Sequence, residues 1–149
     1  DRKPASLGAQ LSEVLRRGDD RTSLETLWAL YQLGRLNDEV ATMAIRDGGP
    51  WVRGWTVRLL GDAKSLSPRM RPLVAELAAR ERDVEVRAQL ASTAKRLPAA
   101  EGLPIVKELL THDKDAEDAR VPLLLWWAIE DKCATDRDAP RDRYAVKRE

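Results

Sequence analysis

The stretch "PWVRGWTVRLLGD", Pro50 to Asp62, sets Trp51 and Trp55 four residues apart, with Arg53 and Arg58 between and beyond them. On a helix that spacing puts both indoles on one face. Aromatic faces flanked by guanidinium groups are the components of a base-stacking or cation–π platform. The same residues also fit an inward face. Val52, Trp55, Thr56, Leu59 and Leu60 follow the i, i+3, i+4, i+7, i+8 rule of a helix stripe. A buried tryptophan removes on the order of 200 Å² from water. Trp55 is therefore read as core. Trp51 is read as a first-turn residue whose indole N–H meets a turn carbonyl.

Other reactive side chains are sparse. His112 is the single histidine and Cys133 the single cysteine, so no disulfide can form within the chain. No C-x-x-C-H is present to attach a c-type haem. The loop "HDKDAED" gathers Asp113, Asp115, Glu117 and Asp118. It lacks the central glycine and final glutamate of a calcium-binding loop, and is read as a solvated turn. "RDGGPW" is a turn rather than a phosphate loop, and no G-x-S-x-G occurs. These absences predict no catalytic residues, no metal and no cofactor held by this chain.

Charge adds a further bound. Lys and Arg number 26 against 25 Asp and Glu, for a net charge of +1. Nucleic-acid binders normally carry a basic excess or stripe, because neutralising phosphates drives their affinity; no nucleic-acid partner is expected. The longest strongly apolar run, "VPLLLWWAI", falls well short of the roughly 20 residues of a membrane span, so no membrane contact by this segment is expected. The start at Asp1, without methionine, suggests a fragment or a processed piece of something longer.

The elements that must carry these residues repeat. Val52-Arg53 in "WVRGWTVRLLG" matches Val86-Arg87 in "EVRAQLASTAKRL", and Ala119-Arg120 opens "DARVPLLLWWAIE" at a similar spacing. "SLETLWALYQLG" resembles the same helix once more, with Trp28 at the place of Trp55. Amphipathic segments precede each of these: Leu7, Leu11, Val14 and Leu15; Val40, Met43 and Ala44; Met70, Leu73, Val74 and Leu77; Leu103, Val106 and Leu110. No segment alternates as a strand would. Ser67-Pro68 and Pro104 suit helix starts, while Gly34, Gly61 and Pro98 suit helix ends. The pattern predicts an all-α chain of eight helices in four helix–turn–helix units. They span about 5–36, 37–62, 66–97 and 101–133, and 134–149 follow as a charged linker or truncated next unit.

The segments "DGGPWVRGWTVRLLG" and "ERDVEVRAQLA" resemble the second half of a HEAT repeat, where an acidic turn residue precedes a Val-Arg pair that opens the second helix. That resemblance implies a right-handed α-solenoid of about four HEAT-like hairpins. It also implies a ladder in which each arginine reaches a turn carboxylate of its own or a neighbouring repeat: Arg53 with Asp47, Arg87 with Glu81, and Arg120 with Asp113 or Asp115. In the first unit Glu25 or Thr26 stands where the arginine is expected, so the ladder is expected to stop there. Across residues 20–133, "LETLWALYQLG", "DGGPWVRGWTVRLLGD", "VRAQLASTAKRLP" and "VPLLLWWAIE" in that order resemble the HEAT region of planctomycete and verrucomicrobial membrane-bound dehydrogenase-type, haem-binding proteins. Those combine a β-propeller-like domain, HEAT repeats and a c-type cytochrome domain. The resemblance implies a non-catalytic scaffold whose parent does redox chemistry elsewhere, with neighbouring domains as partners and an extracytoplasmic location.

Two rivals stay open. A HEAT-like nucleic-acid binder or glycosylase-type module would gather Arg53, Arg58, Arg87 and Arg96 on one concave face. A free-standing adaptor would bind another protein. Leu123, Trp126 and Trp127 lie off the stripe Val121, Leu124, Leu125, Ala128 and Ile129. A helix apolar on so many sides needs cover on more than one of them, so these three residues are read as an interface.

Overall fold

Short polar side chains start most of the helices. The Asp19 carboxylate accepts from the Thr22 amide at 2.7 Å ahead of α1 (Asp20–Gln32). Asn37 accepts from the Val40 amide at 2.9 Å ahead of α2 (Asp38–Asp47). Gly49 leads into α3 (Pro50–Asp62), whose proline occupies a first-turn position where a missing N–H costs nothing. The Ser67 hydroxyl accepts from the Met70 amide at the head of α4 (Met70–Arg80). One Asp83 oxygen takes the Glu85 and Val86 amides to start α5 (Val84–Arg96). α6 (Ala99–Leu109) follows Pro98. After a 3-10 turn (Asp113–Glu117), Asp118 takes the Arg120 and Val121 amides and starts α7 (Val121–Arg137). Each such cap satisfies amides that a helix start leaves orphaned.

This computed structural model describes residues 13–15 and 18–137, with side chains up to 134. Among them no strand occurs, and the chain is all-α. Residues 13–15 are helical; the rest of the expected first helix, and 138–149, lie outside the described residues.

The helices stand in two rows. α1, α3, α5 and α7 pack side by side in chain order, and α2, α4 and α6 form the second row against them. Two apolar clusters fill the space between. The smaller joins Leu27, Leu30, Val40, Ala44, Val52 and Leu59 around the first three helices. The larger runs from Ala41 and Ile45 to Leu125 and Ala128, with Leu90, Leu97, Ile105 and Leu109 almost wholly enclosed.

Several local expectations are corrected. Pro104 does not start a helix. It sits inside α6, which begins at Ala99, and its exposed ring lies on the water side, where the lost hydrogen bond is least costly. The buried face of α6 is Gly102, Ile105, Val106 and Leu109, so Leu103 and Leu110 of the expected stripe point outward, at 44% and 59% exposure. α7 continues to Arg137, past the boundary drawn at 133. Gly61 is not a terminator. It lies within α3, and the left-handed residue beyond that helix is Lys64, with φ 55°.

Close approach explains Gly61. A Cβ there would sit 2.6 Å from the Thr93 methyl and 2.8 Å from an Arg96 nitrogen, so α3 and α5 could not keep their spacing. Gly61→Ala is therefore expected to destabilise the chain by about 1–3 kcal/mol through overpacking. The midpoint of urea unfolding measures it; an unchanged midpoint would show that α5 yields without cost.

Candidate functional site

The turns between helices hold the best-formed polar contacts. Arg53 donates through Nε and Nη2 to both Glu81 oxygens at 2.7 Å, and through Nη1 to the Gly48 carbonyl at 2.8 Å. Arg87 repeats this one unit later. Its Nε and Nη2 donate to Asp115 at 2.6 and 2.5 Å, and its Nη1 donates to the Glu81 carbonyl at 3.0 Å. Each pair spans 28 residues. The partners differ from those expected. Arg53 reaches Glu81 rather than Asp47, which is exposed. Arg87 reaches Asp115 rather than the Glu81 carboxylate. Each arginine leaves the fourth position after its helix's capping residue, and the carboxylate facing it belongs to the following turn.

Caps also correct the alignment. Gly49, Asp83 and Asp118 hold equivalent places, so Arg120 corresponds to Glu85 and Pro122 takes the ladder position of α7. Arg120 accordingly makes no contact with Asp113 or Asp115. It forms a two-pronged pair with Glu85 on the surface, each side chain more than half exposed. The equivalent residue in α1 is Ser23 rather than Glu25 or Thr26; its hydroxyl donates to the Leu15 carbonyl.

Other contacts between units left no signal in the periodicity. Glu101, 6% exposed, accepts from the Leu66 amide at 2.7 Å and pairs with Arg71 at 2.8 Å. Ser67 donates to Asp38 at 2.6 Å. Lys132 is buried and donates to the Lys95 carbonyl at 2.6 Å, at the end of α5. His112 donates from Nε2 to the Ala78 carbonyl at 2.7 Å, at the end of α4. Each connects elements 29 to 37 residues apart. Single polar residues of this kind carry no period, and only the placement of caps could have pointed to them. Cys133 is exposed, and among the described residues no group of three or more potential ligands is placed to hold a metal.

The tryptophans occupy the outer surface of the odd row. Trp55 is part-buried and packs against the edge of the smaller apolar cluster rather than within it. Its ring meets Trp28 edge-on at 5.0 Å, and the Arg58 guanidinium lies 5.0 Å from its centroid. The enclosed face of α3 is instead Val52, Thr56, Val57 and Leu59. Trp51 is 64% exposed. Between α3 and α5 a cavity of about 290 Å³ is lined by Trp51, Gly54, Trp55, Arg58, Asp83 and Glu85, among others. The four arginines named for a nucleic-acid face are not gathered on it. Arg53 and Arg87 are consumed in the ladder, Arg96 pairs with Asp62, and Arg58 alone lines the cavity.

On α7, Val121, Leu125 and Ala128 are buried, whereas Leu123, Trp126 and Trp127 are 47%, 62% and 42% exposed. Lys95 lies 5.7 Å from the Trp127 ring centroid. No described helix is long and apolar enough to cross a membrane.

The ladder gives two expectations. Arg87→Ala strands the enclosed Asp115 carboxylate and should cost about 3–5 kcal/mol. Arg53→Ala, at a rung that water partly reaches, should cost about 1–3 kcal/mol. Equal unfolding midpoints for wild type and Arg53→Ala would remove that rung from the account. The second expectation concerns acid. Burial pushes the Glu81 carboxyl up, but hydrogen bonds from Arg53 and from the Asp83 and Arg82 amides outweigh it and hold the group below its ordinary value of 4.5. A folded value below the unfolded one means the contribution is complete above 4.5 and is lost as pH falls through the folded value. The stability gap between wild type and Glu81→Gln should therefore narrow through the acid limb; a gap constant with pH would contradict it.

Compared with known proteins, the chain matches no family model, no curated protein and no solved structure.

Proposed function

We propose that the chain is a non-catalytic, right-handed HEAT-like solenoid segment that joins neighbouring domains of a larger protein through the outer face of α7. One observation carries this: α7 ends the odd row with Leu123 and Trp126 in water. Among the described residues α3 and α5 each have a neighbouring helix on both sides, and α7 has one on one side only. Solenoid units bury their apolar faces against neighbours, so an end unit left apolar marks a place where something else packs. The HEAT assignment is supported by the alternation of helices between two rows and by the two equivalent rungs, Arg53–Glu81 and Arg87–Asp115. The parent, on the resemblance of the four helical segments, is a haem-binding dehydrogenase-type protein whose redox chemistry lies outside these residues.

Sedimentation velocity tests the α7 face directly. The isolated chain should self-associate as its concentration rises, and Leu123→Ser with Trp126→Ser should shift it toward monomer with no loss of helical circular dichroism. A wild-type chain that stays monomeric throughout, or a double variant that associates as strongly, would sink the proposal.

A further inference from the structure

Lys64 stands where a glycine is expected. It follows α3 in a left-handed conformation, with φ 55°, and among the described residues it is the only non-glycine with a positive φ. That conformation suits glycine and crowds any side chain. A cation would complement the dipole of α3 from anywhere in its last turn, so the dipole does not account for a lysine at this strained position. The position does place Lys64 on the wall of a cavity of about 610 Å³. There the ends of α3 and α5 meet the start of α6 and the middle of α7.

The charges on that wall do not cancel. Lys64, Lys95, Arg96 and Lys132 line it against the one acid Asp131. Two of the cations are already engaged. Arg96 pairs with Asp62 at 2.6 Å, and Lys132 pairs with Asp131 at 2.8 Å. Lys64 and Lys95 have no carboxylate among the described residues; the Lys95 ammonium has only the Trp127 ring, 5.7 Å away. Lys132 is itself 6% exposed. An ammonium carries three protons, and Lys132 spends one on Asp131 and one on the Lys95 carbonyl, which leaves a third. The Ser92 hydroxyl lines the same wall and makes no hydrogen bond among the described residues. α6 opens onto the cavity at Ala99 with no side-chain cap, since Pro98 has none to offer. These are donors with no acceptor between them, and two positive charges are left over. A phosphomonoester carries about −1.5 to −2 at neutral pH, which matches that surplus. The volume lies within the small-molecule range of roughly 300–1,000 Å³, with room beside a phosphate for a small organic group. We propose that this cavity binds the phosphate of a small phosphomonoester. Lys64 and Lys95 supply the charge, and Lys132, Ser92 and the Ala99 amide supply the fixed donors. The site needs neither the outer face of α7 nor a second chain.

The test is titration of the ¹⁵N-labelled chain with glycerol 3-phosphate, with inorganic phosphate, and with sodium chloride at matched ionic strength. The amide signals of Lys64, Ser92 and Ala99 should move and saturate with both phosphates and stay in place with chloride. Lys64→Gly should melt no earlier than wild type, because glycine takes the left-handed turn without strain. It should nevertheless weaken binding of glycerol 3-phosphate by about tenfold or more. Lys95→Gln, an exposed change, should weaken it to a similar degree. Absence of saturable shifts, an equal response to chloride, or undiminished binding by both variants would overturn the proposal. So would a Lys64→Gly chain that melts well below wild type, since the lysine would then serve the fold. An oligothymidine octamer that moves the same signals at lower concentration would also overturn it, by assigning the cations to a nucleic-acid backbone.

Discussion

Arg53 and Arg87 hold the array in register. Each touches both its own turn, through a backbone carbonyl, and the following turn, through a carboxylate. Apolar contact between helices is non-directional and tolerates sliding. A planar guanidinium gripping two carboxylate oxygens does not. The 28-residue step from arginine to carboxylate therefore fixes how far each unit sits from the next, and the apolar rows fill whatever spacing it sets.

The polar contacts on the other row act in the same sense. Glu101, Ser67 with Asp38, and His112 each satisfy a group in a turn or at a helix end of an adjacent unit. Helix termini in a stacked array are half covered by neighbours, so water cannot serve them all, and the neighbouring unit supplies the partner instead. The result is that caps and inter-unit contacts are the same contacts. Lys132 shows this at α7: its ammonium group serves the last turn of α5, where a cation also complements the helix dipole.

Helix existence was legible in the sequence because apolar spacing and capping residues agreed along most of the chain. The finer register was less so. Matching Val-Arg pairs aligned Arg120 with Arg87, whereas the caps Asp83 and Asp118 align Arg120 with Glu85. Dipeptide similarity carries no information on where a helix begins; a carboxylate holding two amides does. The stripe on α6 failed for a related reason, since Leu103 and Leu110 keep helical spacing with Val106 and yet lie on its edge, while Ile105 and Leu109 fill the interior. Trp55 follows its stripe to the edge of the smaller apolar cluster but is not enclosed there, because another ring and a guanidinium lie against its outer side.

The ladder stops at both ends, at Ser23 before it and Pro122 after it. The N-terminal end has a second weakness, because Leu27 and Leu30 belong to the smaller apolar cluster, apart from the one that unites α4 to α7. Among the described residues α1 carries no arginine rung; it is held by apolar contact, by Trp28 against Trp55 and by the charge of Asp20 beside Arg53. Under tension, or on gentle warming, it is the piece to peel away first, and the remaining helices would stay assembled. Since Trp28 leaves with it, the indole of Trp55 loses its brace at that moment. The array would therefore fray by steps from one side, and its tryptophan emission would report the first step before any loss of the central fold.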